Sequence, residues 1–351
     1  MDPASQANTG GQKASDEQST ASGQIASGGT QGPVRLAQRL RRNARQMMDR
    51  LTQYNYRAAK AYYRYRLARA DRRFRGRPPL LIYTMGKVGS SSMLYSLKLL
   101  QLNRQLHHLH SLARKPLRKL EESLKPSFPD NLVSFRHIWR CQHVANTLAQ
   151  KQGDQIQAIS LIRDPLARNL SHFFQHIDVE PYASASHGSP SSVRKWKLVS
   201  SFLDFETVVS ERDTSPLVDL YFDKEWHDFP ALWIDRELGG VLGIDVYATE
   251  FPRDKGYAVY HSNKADLLLI RLRDLDRCAP QAIQDFLGIA PFTLVNANVA
   301  ETKEYVDVYR AFKTQITFPK SYLDRTYDSE FVKHFYSDAE RQALKAKWAT
   351  D

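Results

Sequence analysis

With 351 residues and 42% hydrophobic side chains, the chain has enough apolar mass for one large α/β domain or two small ones, which excludes a disordered protein overall. The formal charge of +12 is not spread like a general nucleic-acid surface: between Pro33 and Pro79 fourteen Arg and one Lys face two Asp, and the rest of the chain is nearly neutral. Two cysteines, Cys141 and Cys278, imply no disulfide framework, and the sequence shows neither a secretory signal nor a run of roughly 20 apolar residues, so a cytoplasmic protein is expected, free or peripheral to the inner face of a membrane.

Residues 1–32, rich in Gly, Ser, Ala, Gln and Thr, read as a disordered tail. Residues 33–77 read as a basic helical extension, continuous or broken once, with Leu36, Leu40, Met47, Leu51, Tyr54 and Tyr62 forming an apolar face. Such a helix either packs on its own domain or docks, through residues 34–77, on an anionic membrane surface or acidic polymer. A catalytic domain, 78–351, opens at Pro78-Pro79. Leu80 to Met85 predicts a buried strand, Ser90 to Leu100 a helix, Gln105 to Leu109 a strand, Ile138 to Gln150 a helix, Ile156 to Ile162 a strand and Leu166 to His176 a helix. This alternation predicts an α/β fold, a parallel sheet flanked by crossover helices. Residues 178–200 read as a long loop and 202–212 and 229–238 as helical. Asp245 to Ala248, Tyr257 to His261 and Leu267 to Leu272 read as strands, with helix after Ala297.

Gly86, Lys87, Val88, Gly89, Ser90, Ser91 and Ser92 follow the first strand and open a helix. A strand, a Gly-rich turn and a helix start converge backbone N–H groups on one point, which suits a phosphate; the same residues would also serve as a serine-capped turn. The lysine precedes the second glycine, unlike the order in nucleoside-triphosphate loops, which disfavours ATP. Arg163 stands at the end of another predicted strand with Ser171 eight residues on, so a guanidinium and a hydroxyl are available for a second phosphate.

Taken together, residues 84–92 resemble the 5′-phosphosulfate loop of the sulfotransferase superfamily, and residues 162–171 resemble its R-D-P-x-x-R-x-x-S motif for the 3′-phosphate. The resemblance implies a P-loop-like α/β fold that takes 3′-phosphoadenosine 5′-phosphosulfate as donor and requires no metal. Lys87 and the Gly89 to Ser92 backbone and hydroxyls would hold the 5′-phosphosulfate, and Arg163 with Ser171 the 3′-phosphate. Residues 226–230, 243–247, 255–257 and 335–337 are similar to bacterial sulfotransferases of capsular polysaccharide synthesis, over roughly Leu80 to Trp348. That similarity implies a carbohydrate or glycolipid acceptor and no nucleic acid. Arg273 stands where that group carries an acid, which puts an ion pair there in doubt.

Sulfuryl transfer needs charge neutralised on the leaving phosphate, a role for Lys87, and a base for the acceptor hydroxyl. His107, His108 and His110 end the second predicted strand, and alternation puts His108 and His110 on one side. This stretch resembles the region of the catalytic histidine in some uronyl 2-O-sulfotransferases, and His110, then His108, are the expected bases; strand-edge histidines without chemistry are the plain alternative. His137, His143, His172 and His176 are further candidates. Trp226, His227, Trp233, Tyr257 and Tyr260 would either line a sugar groove or pack in the core, and Lys303 and Tyr305 would close over the nucleotide. Two other classes stay open: a kinase using the loop, and a non-enzymatic nucleic-acid or membrane binder using the basic segment.

Overall fold

Strands buried on both faces need apolar side chains on both, which is why continuous Leu, Ile and Ala runs build the centre of the sheet. In the computed structural model these are β1 (Leu80–Tyr83), β3 (Ile156–Ile162) and β5 (Ala265–Arg271). With β2 (Leu106–Leu109) and β4 (Tyr257–His261) they form one five-stranded sheet in the order β2-β1-β3-β5-β4, parallel except for the β4 edge, which pairs antiparallel with β5. The structure describes residues 54–130, 132–150, 155–176, 214–295 and 306–349, together with positions 43, 44, 46–48, 50 and 52. The expected tail 1–32, the loop 178–200, the helix 202–212 and the lid residues Lys303 and Tyr305 lie outside the described residues.

Residues 1–50 and 51–351 form two compact units. In the first, the described positions are helical. In the second, Asn55 caps α1 (Tyr56–Arg73), its side chain accepting from Ala58 N at 3.0 Å. The apolar face of α1 is Ala59, Tyr63 and Leu67, one turn apart, rather than the expected stripe through Tyr54, which is 77% exposed. That face packs with Tyr56 on Phe135 and Trp139 of α4 (Leu132–Gln150), so the end of the basic segment belongs to the same unit as the sheet. Glu121 of α3 (Arg114–Leu124) lies at this contact and accepts from Tyr56, Lys60, Trp139 and Gln142.

Crossover helices α2 (Ser90–Leu99) and α5 (Pro165–His176) follow β1 and β3. α3 is not among the expected helices; its Pro116 occupies the first turn, where it costs no intrahelical bond. The carboxyl half adds α6 (Ser215–Lys224), α7 (Phe229–Trp233) running into a π-helical segment (Ile234–Leu242), and α8 (Leu275–Leu287), then α9 (Val306–Gln315), α10 (Lys320–Tyr327), α11 (Glu330–Phe335) and α12 (Asp338–Trp348). The strand expected at 245–248 is instead a single 3-10 turn, because the Asp245 carboxylate accepts from Tyr247 N at 2.9 Å and closes the chain locally. Arg271 is buried, and the acid missing at Arg273 is supplied from α12: Glu340 pairs with Arg271 at 3.1 Å and with Arg273 at 2.7 Å.

Candidate functional site: a crevice between two strand ends

β1 connects through α2 to β2 on one side, and β3 lies on its other side. The chain therefore leaves the carboxyl ends of β1 and β3 in opposite directions and opens a crevice, the usual ligand site of open α/β sheets. The loop after β1 enters it with Gly86 at φ 80°, Lys87 at φ 63° and Gly89 at φ 81°. Left-handed residues turn backbone N–H groups to one side of a loop, the form of an anion-holding concavity, and such backbone is rare for lysine. Gly89 is required twice, since a Cβ there would also lie 2.6 Å from Leu272 Cδ1. Val88 is fully buried and anchors the loop, Lys87 and Ser91 are half-buried, and Ser90 is buried at the first position of α2.

The loop after β3 reaches across. Arg163 Nη1 donates to Lys87 O at 3.1 Å, and Arg168 Nη2 donates to Met85 O at 3.4 Å. Guanidinium groups thus hold two carbonyls of the first loop. Arg168 is 2% exposed, so it is not a surface cation: it meets the buried Glu225 at 3.3 Å, bonds Asn169 at 3.0 Å and lies 4.5 Å from the Phe229 ring centre. Burial pulls its pKa down to about 10, against the pull of Glu225, so it stays charged at neutral pH. Ser171 is half-buried on α5, with no hydrogen-bond partner among the described residues.

Histidines gather under the loop. His108 and His110 ring centres are 4.8 Å apart, and His137 of α4 lies 4.9 Å from His110, whereas His107 points away toward Asp71 and His143. His108 Nε2 pairs with Ser90 Oγ at 2.9 Å, so this histidine is tied to the loop's first serine. His110 Nδ1 lies 2.8 Å from Thr84 O. A carbonyl only accepts, so Nδ1 carries the proton and Nε2 is the bare, basic nitrogen. Burial, reinforced by mutual repulsion of their charged forms, pushes His108 and His137 down to about 3; burial also lowers His110, against the Thr84 bond. The cluster is neutral at pH 7, held so by burial that disfavours the imidazolium form.

The supporting polar groups are those that sequence reasoning missed. Glu237, wholly buried in the π-helical segment, accepts from Tyr83, from Ser111 Oγ at 2.6 Å, from Leu112 N at 2.9 Å, from Ala113 N at 3.1 Å and from Arg236 at 2.9 Å. It therefore fixes the end of β1 and the chain after His110. Trp233, a groove candidate from sequence, is instead core, and its indole N–H donates to His110 O at 2.7 Å. Tyr257 and Tyr260 are also buried, while Trp226 is 54% exposed and His227 bonds Tyr322 at 2.9 Å. His172 pairs with Glu225 at 3.0 Å. No local pattern marks Glu237 or Glu225, because their partners, the adjacent Arg236 apart, lie 53 to 154 residues away.

Fold and site define an α/β protein with a crevice at a sheet's switch point, bordered by a left-handed, lysine-bearing loop and by Arg163. Within it, residues 209–337 match a family model described as "putative capsular polysaccharide synthesis protein", which links this part of the chain to a capsular-polysaccharide-related family. The matched stretch contains Glu225, Trp233 and Glu237, which back the crevice, and stops short of the two loops and the histidine cluster. No curated protein and no solved structure matches the chain. Among the described residues no helix is long and apolar enough to cross a membrane.

Proposed function

We propose that this protein is a sulfotransferase that moves a sulfuryl group from 3′-phosphoadenosine 5′-phosphosulfate to a hydroxyl of a carbohydrate, either free or lipid-linked. The observation that carries this reading is the bond from Arg163 to Lys87 O across the switch point, which sets a left-handed, lysine-bearing loop beside an arginine at the next strand end. Two anion-binding features side by side suit a donor with two separate phosphates. The match to a capsular polysaccharide family supports a carbohydrate acceptor.

In this reading the N–H groups of residues 86–90 and the Lys87 ammonium hold the 5′ end of the donor, and Lys87 offsets charge on the leaving phosphate. Arg163, with Ser171 on the following helix, holds the 3′-phosphate. As the acceptor oxygen bonds to sulfur and the sulfur–phosphate oxygen bond breaks, the acceptor proton passes to His110 Nε2. The Thr84 carbonyl keeps His110 in that tautomer. Radiolabelled sulfate transfer to capsular polysaccharide, assayed on the wild type, Lys87→Ala and Arg163→Ala, tests this: both variants lose transfer. Donor turnover unaffected by both changes sinks the proposal.

A further inference from the structure

A second cationic cavity lies away from the crevice, and none of its lining belongs to residues 84–92 or 163–171. Its volume is about 840 Å³, the upper range of sites for small ligands. It opens on one face of the sheet, between the last turns of α4, the π-helical segment and the β4–β5 turn. Leu112, Ile156 and Val241 give it an apolar floor, while Arg114, Lys115, Arg236 and Lys264 ring it. Among the described residues no carboxylate lines it, and of the four cations only Arg236 has an acidic partner there, the buried Glu237. Arg114 donates one bond to Ala145 O at 3.2 Å, which stands its guanidinium at the wall.

Leu148 of α4 lines this cavity and also a neighbouring one of about 410 Å³, where Arg72, Arg75 and Arg77 join the lining. The single carboxylate of that second cavity, Asp71, is already paired with His143 at 2.6 Å. Meeting at Leu148 in the last turn of α4, the two cavities and their cations make up one cationic track. The first cavity contains no aromatic side chain, so it offers nothing on which nucleic-acid bases would stack.

We infer that this track holds an anionic saccharide chain, one bearing carboxylate, sulfate or phosphate groups, at a holding site separate from the transfer crevice. The choice of a saccharide rests on the carbohydrate reading above; the anionic character rests on the charges of the track alone. Charge complementarity supplies the attraction, and Arg114, Lys115 and Lys264, which have no acidic partner among the described residues, supply it without breaking an ion pair there.

Amine acetylation of the full chain, read by mass spectrometry residue by residue, tests it at about 0.15 M salt. With a heparin-derived hexasaccharide as probe, Lys115 and Lys264 lose labelling several-fold while the exposed Lys98 and Lys333 do not; maltohexaose protects neither. In Arg114→Ala/Lys264→Ala, protection of Lys115 needs about tenfold more hexasaccharide, whereas Arg114→Lys/Lys264→Arg stays close to the wild type. Unchanged labelling of Lys115 and Lys264 at saturating hexasaccharide overturns the proposal, as does equal protection by maltohexaose or by a thymidine oligonucleotide. Titration of the same proteins with adenosine 3′,5′-bisphosphate reads the crevice separately, so failure of the sulfuryl-transfer reading is told apart from failure of this one.

Discussion

Two parts of this molecule are fixed by buried acids, and they differ in what the acid is for. At the contact of α1 with α4, Glu121 collects Tyr56, Lys60, Trp139 and Gln142 at the edge of an aromatic cluster in which Phe135 and Trp139 stack with ring centres 5.6 Å apart. There the apolar area does the holding, and the acid satisfies N–H and O–H groups that burial would strand. Beneath the crevice, Glu225 and Glu237 hold Arg168 and the chain after His110, and these in turn hold the loop carbonyls and the histidines. Aromatic packing fixes that two surfaces meet. Directional polar bonds fix which way a loop faces, and an anion site depends on that.

Substitutions in the two regions should therefore separate stability from binding. The largest loss is expected for Arg168→Ala, which strands the buried Glu225 charge and frees Met85 O: about 3–5 kcal/mol in urea unfolding, with nucleotide affinity lost as well. Trp139→Ala should cost nearly as much, roughly 3–5 kcal/mol for a large buried aromatic, yet leave bisphosphate affinity within about twofold. If Trp139→Ala weakened the crevice as Arg168→Ala does, the two regions would not be independent. Gly89→Ala comes next, at about 1–3 kcal/mol, because it combines a left-handed backbone with the Leu272 contact; its binding defect should exceed its stability defect.

The smallest effect sharpens the same contrast through pH. The histidines under the loop are neutral when folded, with His108 and His137 at about 3 against 6.5 when unfolded. Between those values the unfolded chain binds more protons, so stability is full above pH 6.5 and falls as pH drops toward 3. Glu121, held down to about 2, contributes stability that is lost only below its unfolded value of 4.5. Unfolding midpoints between pH 7 and 5 should thus decline, and His137→Asn should flatten the decline while leaving the behaviour below pH 4.5 in place.

Much of the sheet was legible because buried parallel strands advertise themselves. Leu80 to Tyr83 and Leu267 to Ile270 are unbroken apolar runs, Ile156 to Ile162 is interrupted only by Gln157 and Ser160, and Gly86 and Gly89 mark a turn made with left-handed backbone. Alternation also placed His108 with His110 and away from His107. The rest needed long-range partners. The buried partner of Arg168, Glu225, follows 57 residues later, and the acid absent at Arg273 comes from Glu340, in the last helix. Nothing in the sequence singles out Glu237; only the folded chain brings five donors to it. The site's outline is local, and the charge that supports it is not.

Calorimetric titration with adenosine 3′,5′-bisphosphate is the most direct test of the crevice. The wild type should bind one equivalent, with Lys87→Ala and Arg163→Ala each weaker by roughly ten- to a hundredfold, as expected for the loss of a charge-assisted contact. No binding by the wild type, equal binding by both variants, or tighter binding of magnesium ATP than of the bisphosphate would contradict the account.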